Sequence, residues 1–125
     1  MSENEIAKII VDAAYQIHKT LGPGLLESAY ENALAYDLRQ KGLKVEQQVP
    51  MPFIYKEVRM DVGYRIDLLV EDKVIVENKS VLVLAPIFFS QTLTYLSLSG
   101  IKLGLLINFN VKFFKDGVHR IVNGL

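Results

Sequence analysis

A chain of 125 residues can bury one hydrophobic core but is too short to divide into two, so a single domain over residues 1–125 is expected. Half of the residues are hydrophobic, and 14 basic residues balance 14 acidic ones. This composition excludes a disordered chain and does not fit a protein that coats nucleic acid through a strong basic excess. The absence of cysteine excludes disulfides, zinc–thiolate sites and cysteine nucleophiles.

The amino terminus and the apolar segments bear on location. Residues 1–5 lack the basic segment and the following apolar run of a signal peptide. No apolar stretch approaches the roughly 18 residues that are needed to cross a bilayer. We therefore expect a cytoplasmic protein with no membrane partner.

The first 42 residues are predicted to form two helices. Apolar residues recur there at three- and four-residue spacing, which predicts an amphipathic helix over residues 3–20. Its apolar positions are Ile6, Ile9, Ile10, Ala13, Ala14 and Ile17. The sequence Gly-Pro-Gly at 22–24 interrupts this pattern, and a second helix is predicted over residues 25–41, ended by Gly42.

The remainder of the chain alternates between apolar and polar residues and is rich in β-branched side chains, which is typical of strands. Strands are predicted at residues 44–49, 52–56, 58–70, 74–81, 102–109 and 118–122. Pro86 opens a third helix that is predicted to end at Ser99, before Gly100. The order α-α-β-β-β-β-α-β-β predicts an α/β sandwich with a mixed sheet.

One predicted hairpin carries a pair of facing carboxylates. If residues 71–73 are the loop, Val70 pairs with Val74, and Asp67 then lies opposite Glu77. Side chains alternate between the two faces of a strand, so one face of the hairpin is predicted to be apolar and the other charged. The apolar face would carry Ile66, Leu68, Val70, Val74 and Val76, and the charged face Arg65, Asp67, Glu77 and Lys79.

The charged face has two interpretations. Acidic residues that face each other across two antiparallel strands have Cβ atoms roughly 5 Å apart, and such a pair needs a shared proton or a cation. Asp67 and Glu77 can therefore seat a hard divalent cation, with Lys79 holding a phosphate oxygen or orienting a water. The spacing alone supports equally a solvated ionic face, and Arg65 can contact a phosphate or form a salt bridge to either carboxylate.

Five segments of the chain together resemble the GxxExxY protein family. The segment Gly24–Tyr30, GLLESAY, matches the motif that names the family. Four further segments match in order and spacing: Gly63–Leu68, Val76–Lys79, Gln91–Leu96 and Gly104–Phe109. The resemblance covers about residues 9–122, and it places the chain in the PD-(D/E)xK nuclease-like superfamily.

The resemblance implies a fold and a site. The fold would be a restriction-endonuclease-like core, a mixed β-sheet flanked by helices. The implied metal ligands, for Mg²⁺ or Mn²⁺, are Glu27 from the second helix, Asp67, Glu77 and the backbone carbonyl of Asn78. Lys79 would be the catalytic lysine, and Gln91 a helical glutamine that supports the site. The implied catalytic set is thus Glu27, Asp67, Glu77, Lys79 and Gln91.

The third helix departs from the family pattern. Many members carry polar residues just before the glutamine, where this chain has Phe88 and Phe89. Leu93 and Leu96 extend a stripe that contains Phe89, so Phe89 is predicted to be core and Phe88 to reach the surface beside the site. An exposed ring at that place would mark a contact with a partner protein or, less favoured, with a stacked base. The alternative is that the third helix is buried around most of its circumference and both rings are core.

The function expected from these residues is metal-dependent hydrolysis of phosphodiester bonds in DNA or RNA. The alternative is a non-catalytic binding or assembly protein that retains the nuclease-like fold, which the neutral charge and the small size favour. A homodimer, or a larger partner that recognises the substrate, would reconcile the two. His18 and His119 have no acid or serine at triad spacing and are predicted to be surface residues.

Overall fold

A computed structural model describes all 125 residues of the chain. The helices are α1 (Glu3–Leu21), α2 (Glu27–Gln40) and α3 (Pro86–Ser99), with a short 3₁₀ helix at Phe114–Asp116. The strands are β1 (Val45–Pro50), β2 (Phe53–Tyr55), β3 (Val58–Met60), β4 (Arg65–Val70), β5 (Val74–Lys79), β6 (Leu103–Asn108) and β7 (Val118–Val122). The predicted helices and most strands are confirmed, and none of the helices is both long and apolar enough to cross a membrane.

The five-stranded sheet has the order β1-β4-β5-β6-β7. The β5–β6 pair is parallel, and the chain crosses between these two strands through α3. All other neighbours are antiparallel, so the sheet is mixed, as predicted. Because β5 and β6 are parallel, the residues that follow both strands emerge at the same edge of the sheet. Lys79 and Asn108 lie opposite each other there.

Two hydrophobic clusters hold the helices against the sheet. The larger joins α1 and α2 to the sheet, and five of the six apolar positions predicted for α1 are buried in it, with Ile9 partly buried. A capping box at Ser2 and Glu5 satisfies the first turn of α1. The smaller cluster contains Ile66, Ile75, Tyr95 and Leu96, and it packs α3 against the sheet. The helices therefore cover the sheet on two sides.

Two predictions from the sequence are wrong, one about a strand and one about the burial of a side chain. The strand predicted over residues 58–70 is divided, because the chain bends at residues 61–64, where Gly63 has a φ of 78°. Its first part, β3, pairs only with β2 in a separate hairpin. His18 was predicted to lie at the surface but is buried, and its Nε2 lies 2.7 Å from the carbonyl oxygen of Val111.

The return from β6 to β7 depends on a glycine. A Cβ atom at Gly117 would lie 2.1 Å from the carbonyl oxygen of Asn108, which cannot yield without moving the strand. We expect Gly117→Ala to lower the free energy of unfolding by about 1–3 kcal/mol through overpacking. Chemical denaturation measures this, with Asp116→Ala at the exposed neighbouring position as the control. Equal stability of the two variants would contradict the expected close approach.

Candidate active site

Asp67 and Glu77 lie where the β4–β5 ladder ends. The predicted loop is confirmed, since Val70 pairs with Val74, and pairing continues to Leu68 and Val76. Beyond that point each carboxylate accepts a hydrogen bond from the backbone of the opposite strand. The Asp67 N–H donates to Glu77 Oε2 at 2.8 Å, and the Asn78 N–H donates to Asp67 Oδ2 at 2.8 Å. Two side-chain bonds thus replace the ladder bonds and hold both carboxylates between the strands.

A local distortion in β1 accompanies this arrangement. Gln48 has a φ of 52°, although pairing with β4 is regular on both sides of it. Leu68 packs in the α1–α2 cluster, as predicted together with Val70, Val74 and Val76, whereas Ile66 packs in the α3 cluster. The prediction that Ile66 shares their face is therefore wrong. The face changes at Asp67, the residue that lies opposite Gln48.

Burial makes the carboxylate pair hard to ionise. The Glu77 side chain is almost fully enclosed, with 3% of the residue exposed. Burial, and secondly the charge of Asp67, raise the pKa of Glu77 to about 8. Burial also raises the pKa of Asp67, and the hydrogen bond from the Asn78 backbone opposes that change. Lys79 lowers the pKa of both groups. One of the two carboxyl groups therefore carries a proton at neutral pH.

Lys79 is held at the rim of this site. It ends β5 half-buried, and its Nζ lies 4.7 Å from the centre of the Phe88 ring, within the range of a cation–π contact.

The predicted assignment of a buried and an exposed face on α3 was wrong, because Leu93 is 43% exposed while Thr92 and Tyr95 are buried. Phe88 and Phe89 are each partly buried, so neither ring is purely core or purely surface. Phe88 instead contacts the ammonium group of the site.

Glu31 is a site residue that the sequence analysis missed. It is buried on α2, and its Oε1 accepts a hydrogen bond of 2.7 Å from Gln48 Nε2. The same amide nitrogen lies 3.3 Å from Asp67 Oδ1, so Gln48 connects the two carboxylates. Gln47 Nε2 donates to Glu31 Oε2 at 2.9 Å. The signal available in the sequence was its position four residues after Glu27, on the same face of the helix.

The other predicted residues are less constrained. Glu27 is the first residue of α2 and is exposed, in the first turn where the helix dipole favours a carboxylate. Gln91 is partly buried on α3. Arg65 is exposed and forms no ion pair, so the salt bridge considered for it is not found. The roles of Glu27 and Gln91 remain predictions.

The donors present fit a divalent cation. Mg²⁺ is commonly held by one or two carboxylates, with water and substrate oxygens completing its shell, and Asp67 and Glu77 supply such a pair. The side-chain amide of Asn78, between Glu77 and Lys79 in β5, is buried without a hydrogen-bond partner. No group of three or more acidic, histidine or cysteine side chains is assembled as a complete metal centre. A cation at this site would therefore take the rest of its ligands from water or substrate.

One of three comparisons with known proteins identifies a family. The family model of the PD-(D/E)XK nuclease superfamily matches residues 4–121, nearly the whole chain. The chain belongs to this superfamily. Its mixed five-stranded sheet flanked by helices is consistent with the restriction-endonuclease-like fold that was predicted. The predicted residues Asp67, Glu77 and Lys79 follow the order of two acids and a lysine in the superfamily's name, and their roles remain predictions. No curated protein and no solved structure matches the chain.

The raised pKa of Glu77 predicts a dependence of stability on pH. Its ordinary value is 4.5 and its folded value about 8, so between these limits the folded state holds a proton that the unfolded state has lost. The free energy of unfolding should therefore fall as the pH rises from about 4.5 to about 8, by up to about 5 kcal/mol. Denaturation in a chelator at a series of pH values measures this.

The matched variants are Glu77→Gln and Glu57→Gln, the second at an exposed position in the β2–β3 turn. We expect Glu77→Gln to remove most of the slope, because an amide has no proton to lose, and Glu57→Gln to retain it. A wild-type protein whose stability stays constant over this range would contradict the buried, protonated carboxyl.

Proposed function

We propose that this protein is a divalent-metal-dependent nuclease that hydrolyses phosphodiester bonds of DNA or RNA at Asp67, Glu77 and Lys79. The observation that carries the proposal is the interlocked pair of carboxylates at the end of the β4–β5 ladder. Membership of the PD-(D/E)XK nuclease superfamily supports it. Keeping two acids together in a buried place is unfavourable without a counter-charge, and a cation bound there removes the disadvantage.

Each residue has a distinct task in this proposal. A bound Mg²⁺ or Mn²⁺ would polarise the scissile phosphate and lower the pKa of a water. Asp67 and Glu77 would hold the cation, and the Asn78 backbone carbonyl would be a further ligand. The Lys79 ammonium, oriented against the Phe88 ring, contacts a phosphate oxygen or positions the attacking water. Glu27 and Gln91 complete the site from α2 and α3 when the substrate is bound.

Glu31 acts on the site through Gln48. The Gln48 amide contacts Glu31 and Asp67 at once, which fixes one oxygen of Asp67 while the Asn78 N–H fixes the other. Such support for a metal-binding carboxylate sharpens its orientation. The negative charge of Glu31 raises the pKa of Asp67 and Glu77, and the same charge favours a bound cation.

The finer assignments belong to the same proposal. The motif at Gly24–Tyr30 supports membership of the GxxExxY family, and a cytoplasmic location is part of the same proposal. In the GLLESAY motif, Tyr30 has a structural role. Its hydroxyl donates to the carbonyl of Gly22 at 2.5 Å and accepts from the N–H of Leu25 at 3.1 Å, which fixes the turn before Glu27.

A second candidate function is a non-catalytic binding or assembly protein with a retained nuclease fold. The observation that favours it is the incomplete acidic cluster, in which Glu27 is exposed and no third acidic, histidine or cysteine side chain completes a metal-binding group with Asp67 and Glu77. A homodimer or a larger partner protein would then carry the function. The binding of metal and the cleavage of nucleic acid separate the two candidates.

We expect Mg²⁺ or Mn²⁺ to bind at Asp67 and Glu77 and to stabilise the folded protein. Free metal at about 100 times its Kd would add about 2.7 kcal/mol to the free energy of unfolding. Asp67→Asn should abolish binding, since it removes the negative charge of a carboxylate that would bind the cation directly. Calorimetry and thermal unfolding with and without metal measure both effects.

Two variants sharpen this measurement. Asp61→Asn removes an exposed carboxylate outside the site and should bind metal like the wild type. Glu31→Gln should weaken binding less than Asp67→Asn, because Glu31 reaches Asp67 only through Gln48. Absence of binding by the wild type at millimolar metal, or equal binding by wild type and Asp67→Asn, would overturn the metal site.

Lys79→Met should lose cleavage while keeping the fold and the affinity for metal. The substitution removes the ammonium group but keeps an apolar stem beside Phe88. Loss of a positioning or proton-transferring group commonly lowers the rate by about 100-fold or more. Nicking of supercoiled plasmid and of labelled single strands with Mn²⁺ gives the rate, with Lys102→Met as the control. Unchanged cleavage by Lys79→Met would move the activity to another group, and an inactive wild type would favour the binding protein.

A further inference from the structure

A concave surface lies beside the loop that follows β6, outside the carboxylate site. It encloses about 380 Å³ and is lined by α1 and by residues 112–115. The lining residues are Tyr15, His18, Lys19, Lys112, Phe113, Phe114 and Lys115, and we call this the basic-aromatic surface. Three of the seven are lysines and none is acidic, in a protein whose formal net charge is zero.

The three lysines of this surface are free to contact a ligand. All three are exposed, and none takes part in an ion pair, since the ion pairs of the structure involve only Lys44 and Arg59. The only acidic residue in residues 109–117 is Asp116, which is exposed next to Lys115 and does not line the cavity. Unpaired lysines converging on one cavity favour a ligand with several negative charges.

Exposed aromatic rings accompany these charges. Phe113 is 57% exposed and Tyr15 is 47% exposed, and the Lys112 Nζ lies 5.4 Å from the centre of the Phe113 ring. Lysines between exposed rings are the combination that single-stranded nucleic acid uses, because phosphates contact the cations while the unpaired bases stack on the rings.

The surface is built on a rigid base. Phe114 is buried, and its ring contacts Tyr15 edge-to-face with 5.8 Å between the centres. The Val111 carbonyl is fixed by His18, and Gly117 closes the loop against β6. The loop is therefore anchored on both sides of Lys112 and Phe113, so their exposed position is a property of the fold.

The basic-aromatic surface begins at the edge of the sheet that carries Lys79. Asn108 lies opposite Lys79 in the parallel β5–β6 pair, and the Phe109 N–H donates to the Lys79 carbonyl at 2.9 Å. The Asn110 side chain donates to the carbonyl of Val81 at 3.3 Å. Only Val111 separates Asn110 from Lys112 in the chain. The loop that carries Lys112 and Phe113 thus begins beside the end of β5.

We propose that the basic-aromatic surface binds single-stranded nucleic acid, with its phosphates on Lys19, Lys112 and Lys115 and a base stacked on Phe113. This rests on the proposed nuclease function, for which it names single strands as the substrate class. A protein of zero net charge does not attract nucleic acid through its overall charge, and this surface would supply the attraction locally. The surface holds the strand and takes no part in the bond cleavage itself.

The test measures the binding of labelled single-stranded DNA and RNA oligonucleotides by fluorescence anisotropy, in a chelator and at several salt concentrations. We expect Lys112→Gln/Lys115→Gln to weaken binding about tenfold or more. Each lost phosphate contact lowers the slope of log K against log salt by about 0.7 for a single strand, so the double variant should lower it by about 1.4. Phe113→Leu should weaken binding about tenfold while leaving the salt slope unchanged, because it removes a ring but no charge.

The matched control is Lys73→Gln/Lys102→Gln, which removes two exposed lysines where β5 and β6 begin, at the opposite edge of the sheet. It should bind like the wild type. Unaltered binding by the variants of the basic-aromatic surface, or an equal loss in the control, would overturn the proposal. Tighter binding of a duplex than of a single strand would also overturn it.

This result is separate from the test of the nuclease function, because the binding assay contains no metal. Binding that depends on Lys112, Lys115 and Phe113 supports the surface even if Lys79→Met and the wild type are equally inactive. If cleavage requires Lys79 but oligonucleotide binding does not depend on these three residues, the nuclease function is supported and the proposed role of the basic-aromatic surface is wrong.

Discussion

The structure depends on two hydrogen bonds that cross between β4 and β5. Each carboxylate of the pair accepts a hydrogen bond from a backbone N–H of the other strand. Asp67 and Glu77 therefore replace the backbone hydrogen bonds at the point where the β4–β5 pairing ends. A charged face on a solvated hairpin would leave these side chains in water, with ordinary acidity. Here they are part of the backbone pairing, and burial follows from it. Burial raises the pKa of both carboxyl groups, and the two hydrogen bonds oppose that rise.

Much of the fold could be predicted because local signals agreed with one another. Periodic apolar residues defined α1, and the three-residue loop at 71–73 set the register that places Asp67 opposite Glu77. The prediction for Ile66 failed because it assumed regular alternation through Asp67. A positive φ would be expected at Gly or Asn, and Gln48 gives no such signal. The change of face was therefore invisible in the residue types.

The parts of the site that could not be predicted depend on tertiary contacts. Glu31 reads in the sequence as one more polar residue of α2, and only the packing of β1 against that helix brings Gln48 to it. The faces of α3 were misassigned because residues 80–101 contain no charged residue, so the helix has no polar stripe from which an orientation can be taken. The basic-aromatic surface was missed for a related reason. Its lysines come from two segments about 90 residues apart, and the net charge of the whole chain does not show that they lie together.

The raised pKa of Glu77 has a consequence for how the site would exchange ions. At neutral pH this carboxyl is protonated, and a divalent ion that takes its place must expel that proton. Metal uptake and proton release are then a single exchange, and the apparent affinity for the ion rises with pH until Glu77 is ionised. Below that range the proton and the metal compete for the same oxygens. Acidification would therefore lower the apparent affinity for the ion while it raises the free energy of unfolding.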